Sequence, residues 1–253
     1  MRMHILSGGR LQMRKNVFLP ALPKDLLVEL PVSCYLLRHP QGNVLFDTGC
    51  HPSTLTDAES RWGGMAKLMK PVGTPADNVI DELAAVGLTP FDIDLVVNSH
   101  FHSDHCGCNA FFKKATIICH AKELEAASVE GAEKMGYLPV DWKNEIPLET
   151  FTGQKDLFND GRIVLLSVPG HTPGMIGAMV SLPTSGEFFL ASDSVPIREN
   201  LEQEVLPKNI WDQDLTASSM DEIRRIGNRG AQILFGHDDS QIKTLKTGVQ
   251  FYD

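Results

Sequence analysis

Three imidazoles and a carboxylate fall within six residues in the stretch His100-Phe101-His102-Ser103-Asp104-His105, directly after the apolar run Ile93 to Val97. Neutral imidazole and carboxylate are the usual ligands of zinc and its neighbours, so the stretch points first to a metal. A strand would deliver His100 and His102 to the same side, because side chains two apart share a face. Where the chain then turns, Asp104 and His105 can serve a second ion close to the first. A histidine-rich surface turn is the bland alternative, and a density this high after a buried-looking strand weighs against it.

Three other segments share that architecture. Leu165-Leu166 leads to His171, Phe189-Leu190 to Asp193, and Leu234-Phe235 to His237. Each is an apolar strand with a ligand-type residue within a few positions of its C-terminal end, where sites on rigid scaffolds accumulate. Of nine histidines, five fall in these segments. The resulting grouping is His100, His102 and His171 for one ion, Asp104, His105 and His237 for the other, and Asp193 as a bridge. Two divalent ions sharing a water would turn it into hydroxide near neutral pH, which removes the need for a serine or cysteine nucleophile. Zinc is the expected metal, with iron, manganese or cobalt as alternatives.

The elements around these ligands read as a mixed α/β chain. Residues 4–13 suggest a short hairpin or edge strand. Apolar strands are expected over 26–37 and 43–46, the second ending in Asp47-Thr48-Gly49, where the carboxylate either serves a site or caps a turn. Residues 50–76 carry Trp62, Met65, Leu68 and Met69 in a loop-like stretch, either a lid or a short helix packed on the core. A helix over 77–86 closes at Gly87, a strand at 115–119 precedes a helix over 121–129, and 130–152 gives no clear pattern. Later come strands at 162–168, 175–182 and 187–191, an irregular 197–216, a helix over 218–228 and a strand at 232–235.

Composition bounds the rest. The chain has 253 residues, is 42% hydrophobic and 22% charged, and carries a net charge of −9, which disfavours a nucleic-acid partner. No apolar run reaches the length of a membrane span, and Gly8, Gly9 and Arg10 interrupt any signal-peptide core, so no membrane partner is expected. Five cysteines make an odd, sparse set that suits a reducing, cytoplasmic setting. One domain over 1–253, as monomer or homodimer, is the expected organisation.

The motif His100-Phe101-His102-Ser103-Asp104-His105, with the later His171, Asp193 and His237, resembles the metallo-β-lactamase superfamily, and the resemblance runs from Leu45-Phe46-Asp47-Thr48-Gly49 to the C-terminus. It implies an αββα sandwich with a dinuclear site at one edge, and Asp47 supporting the ligand loop from behind. Asn98-Ser99-His100 and the ending from Gly236 through Tyr252 resemble the lactonases of that superfamily, the N-acyl-homoserine lactonase and 4-pyridoxolactonase types. The implied reaction is opening of a lactone ring, with Asp104 passing a proton to the leaving alkoxide. One departure stands out: those lactonases usually carry a tyrosine three residues after the bridging aspartate, where this chain has Pro196. Carbonyl polarisation then falls to a metal alone, to an ordered water, or to another donor such as Tyr137.

The expected substrate is a small lactone or ester, with Trp62, Met65 and Met69 holding its alkyl or ring portion. A thioesterase or another ester hydrolase of the same fold, and a mononuclear-iron persulfide dioxygenase, are the alternatives. Cys106 and Cys108 are expected to start a helix rather than bind metal, His120 to be an ordinary satisfied histidine, and Tyr35 to be core.

Overall fold

The computed structural model describes residues 1–253. Twelve strands form two sheets. The first has seven strands in the order β4 (Lys70–Val72), β1 (Arg2–Arg14), β2 (Leu27–His39), β3 (Gly42–Phe46), β5 (Leu95–Val97), β6 (Thr116–His120) and β7 (Leu148–Phe151). The second has five, in the order β12 (Gln232–Phe235), β11 (Gly186–Ser192), β10 (Ile176–Leu182), β9 (Ile163–Ser167) and β8 (Lys155–Asp156). Between and after the strands lie α1 (Thr54–Trp62), α2 (Val79–Ala85), α3 (Ser103–Cys106), α4 (Ala121–Ala127), α5 (Pro139–Trp142), α6 (Arg198–Glu202), α7 (Gln213–Asn228) and α8 (Asp239–Ile242).

Strand alternation sorts the apolar residues into layers. Tyr35, Leu37, Val44, Phe46, Val97 and Ile118 of the first sheet meet Leu165, Ala178, Phe188, Leu190 and Leu234 of the second in one buried cluster between the sheets. Their sequence neighbours point the other way, as a period of two requires. Leu36, Leu45, Val96 and Ile117 pack outward against Val79 and Leu83 of α2. Phe189, Ala191 and Phe235 pack outward against Met220, Ile223 and Ile226 of α7. The result is helix, sheet, sheet, helix, the expected sandwich.

Chain direction decides where ligands can gather. β3, β5, β6 and β7 pair in parallel, so their C-terminal ends share one edge. In the second sheet β9 and β11 both run antiparallel to β10, and β12 runs parallel to β11, so these three also end together. A backbone bond from Ile176 N–H to Ser99 O, 3.0 Å, ties the two sheets at that edge.

Two expectations change. Residues 4–13 belong to the 13-residue β1, which is interior to its sheet, flanked by β2 and by the three-residue β4. Its register shifts between Ser7 and Arg10, across Gly8-Gly9, which is what made the pattern look broken. The glycine is used: a Cβ on Gly8 would stand 2.8 Å from Gly49 Cα, and Cys50 N–H donates to Gly8 O at 2.8 Å, so β1 clamps the loop that follows β3.

The stretch 50–76 is α1, one turn of 3-10 helix over Gly63–Lys67, and β4. Trp62 is 2% exposed in a cluster with Leu11, Phe18, Leu30 and Val32, and Met65 and Met69 pack on the same cluster. Their apolar surface is spent on the core rather than on a substrate.

Candidate metal centre

All seven expected ligands meet at the shared edge. His100 and His102 leave β5, Asp104 and His105 sit in the single turn of α3, and His171, Asp193 and His237 follow β9, β11 and β12. Their ligand-type atoms form three overlapping groups, each closing within 4.8 Å: His100, His102 and His171; His100, His105 and Asp193; and Asp104, His105 and His237. Asp193 spans the groups through its two oxygens. Oδ1 lies 2.9 Å from His237 Nε2 and 3.5 Å from His105 Nε2, while Oδ2 lies 3.3 Å from His171 Nε2.

The rings are aimed by what holds their outer nitrogens. His100 Nδ1 bonds Ser99 Oγ at 2.9 Å, His102 Nε2 bonds Met135 O at 3.0 Å, His105 Nδ1 bonds Asp47 Oδ2 at 2.9 Å, and His237 Nδ1 bonds Pro31 O at 2.8 Å. The opposite nitrogen of each then faces the centre, the arrangement that fixes tautomer and orientation in metal sites. His171 is held differently: its Nδ1 is buried without a hydrogen-bond partner.

Whether this set suits a metal is tested by what the inner atoms lack. His100 Nε2, His105 Nε2 and Asp193 Oδ1 are buried with no hydrogen-bond partner. Each orphaned group costs about 1–3 kcal/mol, a penalty that divalent ions at the centre would remove. His171 Nε2 and His102 Nδ1 lie 3.0 Å apart, two nitrogens facing each other where a cation would sit between lone pairs. Nitrogen and oxygen donors in overlapping groups fit zinc-like ions.

The electrostatics divide the rings into two sets. Burial pushes His102 down to about 3 and holds His100 and His171 below the ordinary imidazole range, so these rings stay neutral and free to ligate. His105 and His237 feel the same burial, but Asp104 and Asp193 outweigh it and raise both. Burial alone would raise Asp104; His105 and His237 instead bring it down to about 2.

Behind the ligands stand groups that sequence reasoning found only in part. Asp47 accepts from Ser99 N–H at 2.7 Å, Ser99 Oγ at 2.7 Å and His105 Nδ1 at 2.9 Å, which resolves the choice between site residue and turn cap in favour of the site. Asp47 and Ser192 hold positive φ angles, 60° and 45°, two of the four non-glycine residues that do so, the others being Asn159 and Glu204 away from the site. Ser99 and Ser192 each directly precede a ligand, a signal that was available. Glu123 on α4 carried none. Fully buried, it accepts from Phe101 N–H (2.9 Å), Thr172 Oγ1 (2.7 Å) and Gly174 N–H (3.1 Å), and so joins the loop of His100–His105 to the loop of His171.

The other candidates fall outside the centre. Cys106 Sγ donates to Phe101 O and Cys108 Sγ to Cys50 O. Burial raises all five thiols, Cys119 to about 12, so they remain neutral packing groups. His120 caps α4 by accepting from Lys122 N–H, His51 stacks on Phe111, and Tyr35 is core.

A cavity of about 800 Å³ opens onto His102 and His171. Its walls come from α4 and the residues after it and from the segment 208–211, with Met135, Tyr137 and Trp211 prominent. None of Trp62, Met65 or Met69 lines it.

The model of the metallo-beta-lactamase superfamily matches residues 27–236. The chain belongs to that superfamily. Among similar proteins, N-acyl homoserine lactonase AttM of Azorhizobium caulinodans is 28% identical over 259 residues, covering 100% of this chain and 98% of its own. N-acyl homoserine lactonase AiiA of Bacillus thuringiensis subsp. kurstaki is 29% identical over 253 residues, covering 99% and 98%. A solved structure of an N-acyl homoserine lactone hydrolase, with the product N-hexanoyl-L-homoserine at its catalytic metal center, superposes with a TM-score of 0.90 at 28% identity, covering 99% of this chain and 98% of that one. In this superfamily member, Pro196 lies where the resemblance leads one to expect tyrosine; its carbonyl accepts His237 N–H at 2.7 Å and so anchors the His237 loop.

Proposed function

We propose that this chain is a dinuclear metal hydrolase that opens a lactone ring, an N-acyl homoserine lactone or a close relative. His100, His102 and His171 would hold one ion and Asp104, His105 and His237 the other, with Asp193 shared. Zinc suits these donors. The observation that carries the reading is the inward aim of unpartnered donors on both sides of Asp193, whose two oxygens reach both groups. That second complete group favours a dinuclear site over the mononuclear-iron alternative. The near-full-length match to lactone hydrolases favours a lactone over a thioester.

When bound, the two ions supply a lowered pKa for a shared water and polarisation of the ester carbonyl. The protein's own part is positional and protonic. The cavity at His102 and His171 seats the ring and its substituent. Asp104, held near 2, begins as a carboxylate; it accepts a proton from the attacking water and returns it to the alkoxide as the ring C–O bond breaks. Of the three tyrosines, Tyr35 is core and Tyr252 accepts from Lys246 N–H. Tyr137 lines the cavity, but its hydroxyl is buried toward Glu123 and Thr172, so polarisation of the substrate carbonyl would fall to the ions.

The test is metal quantification on purified protein together with a lactone and thioester panel read by acidification, since ring opening yields a carboxylic acid. Two zinc-like ions per chain and acid release from lactones are expected. Thioester turnover without lactone turnover, or one iron with oxygen uptake, overturns the reading.

A further inference from the structure

The cavity beside the metal centre has chemistry that a lactone ring does not use. Its lining includes three of the eleven exposed large apolar side chains, Val129 (53%), Met135 (50%) and Trp211 (54%). Exposed apolar surface gathered around one opening marks a binding site rather than chance scatter. The volume, about 800 Å³, is in the range that holds a drug-sized ligand, so the substrate brings a sizeable substituent.

Two ammonium groups line the same cavity, Lys122 from α4 and Lys208 from the segment before α7. Neither makes an ion pair with a carboxylate. Glu125 is the one acid among the lining residues, so the charged side chains there sum to +1 in a chain whose net charge is −9. The segment that carries Lys208 is fastened at both ends. Lys208 N–H donates to Val17 O at 2.7 Å, and Trp211 N–H donates to Gly170 O at 2.8 Å beside the ligand His171. The backbone of this wall is thus set before the substrate arrives.

We propose that the site is built for a lactone whose substituent is apolar along its length and ends in a carboxylate, which Lys122 and Lys208 recognise. This rests on the lactone-hydrolase reading. The apolar run lies against Met135, Ile210 and Trp211 while the anion stays at the wetter rim, where a long lysine stem reaches it with its charge in solvent. Charge-assisted hydrogen bonds from two lysines favour the acid over a neutral tail of equal length.

The experiment compares three α-acylamino-γ-butyrolactones of matched chain length, ending in methyl, carboxylate or trimethylammonium. Turnover is read by acid release, and binding by quenching of tryptophan fluorescence, with Trp211→Phe identifying the signal from the cavity. The carboxylate substrate should show about tenfold higher kcat/KM than the methyl one, expressed in KM, and the cationic one should be worst. The preference should shrink in 0.5 M salt, where the Debye length is about 4 Å. Lys122→Met with Lys208→Met should abolish the preference, and Lys114→Met, exposed over Phe91 before β6 at the opposite edge of the sheet, should keep it. Equal kcat/KM for the three, a preference untouched by the double variant, or an equal loss in Lys114→Met overturns the proposal. If no lactone is turned over, the lactone-hydrolase reading fails, and fluorescence still decides this inference: tighter binding of the carboxylate compound, lost in the double variant, supports it, and equal binding overturns it.

Discussion

The metal centre and the cavity beside it share two histidines and almost nothing else. The centre is made at strand ends, buried except where His102 and His171 face the cavity, with four of its five imidazoles fixed by an outer hydrogen bond. The cavity wall is made of a short helix, the turns that follow it and a loop, with large apolar groups half in solvent. A reaction that moves protons and a C–O bond needs donors placed to a fraction of an ångström, and two packed sheets provide that. Recognition of a substituent tolerates looser walls. The molecule thus assigns chemistry to its sheets and selectivity to its connections.

The largest effect should come from breaking the first region. His105→Ala removes a donor shared by two of the three groups and leaves Asp47, Asp104 and Asp193 without their common partner. Activity should fall by about 10³-fold or more on every lactone, with metal content per chain falling in parallel. A variant that keeps both while changing substrate order would erase the division between the regions. Asp47→Ala should act more mildly, because it touches only Ser99, Ser192 and the outer face of His105. Metal affinity, measured by competition with a chelator, should weaken by about 10–100-fold.

Glu123 is the residue on which the two regions meet. It lies on α4, the wall helix, yet its carboxylate accepts from both ligand loops. Glu123→Ala leaves three buried donors without an acceptor and should lower stability by about 3 kcal/mol in denaturant unfolding. Glu123→Gln keeps one acceptor oxygen and should recover part of that. Loss of substrate preference without loss of stability would make Glu123 part of the wall instead. Trp211→Ala should do the opposite of His105→Ala: KM for long-chain lactones rises by about tenfold, while kcat on a short-chain lactone stays within about twofold.

The same division explains what the sequence made legible. The ligand-type residues that meet at the strand ends were readable because apolar runs mark the strands and histidine is rare enough to count. The layers followed from alternation in segments such as 34–37 and 44–46. The cavity was invisible because, past the helix read over 121–129, its walls lie at 130–137 and 208–211, where Gly131 and Gly136 adopt left-handed angles, the one element is a single 3-10 turn, and no period forms. Trp62, Met65 and Met69 misled because an apolar side chain in an irregular stretch looks the same whether it faces a ligand or the core. Only the neighbours supplied by β1 and β2, distant in sequence, decide it. Glu123 was silent for a related reason: a glutamate on a short helix is ordinary until the loops it joins are known.

The smallest effect sharpens the comparison from outside both regions. His51 stacks on Phe111 at a centroid distance of 5.4 Å and bonds Ser53 Oγ through Nδ1 at 2.8 Å, and it belongs to none of the three donor groups. Burial, with help from Arg61, brings its pKa down to about 4. The ordinary imidazole of the unfolded chain titrates near 6.5, so between those values the unfolded state binds more protons than the native state. The stability that neutral His51 contributes is therefore complete above about pH 6.5 and is lost as pH falls toward 4. His51→Gln cannot be protonated, so its unfolding free energy should decline less than that of the parent between pH 7 and 4.5, by urea titration at each pH. An equal decline would place the acid sensitivity of this chain in the centre alone and make His51 a bystander.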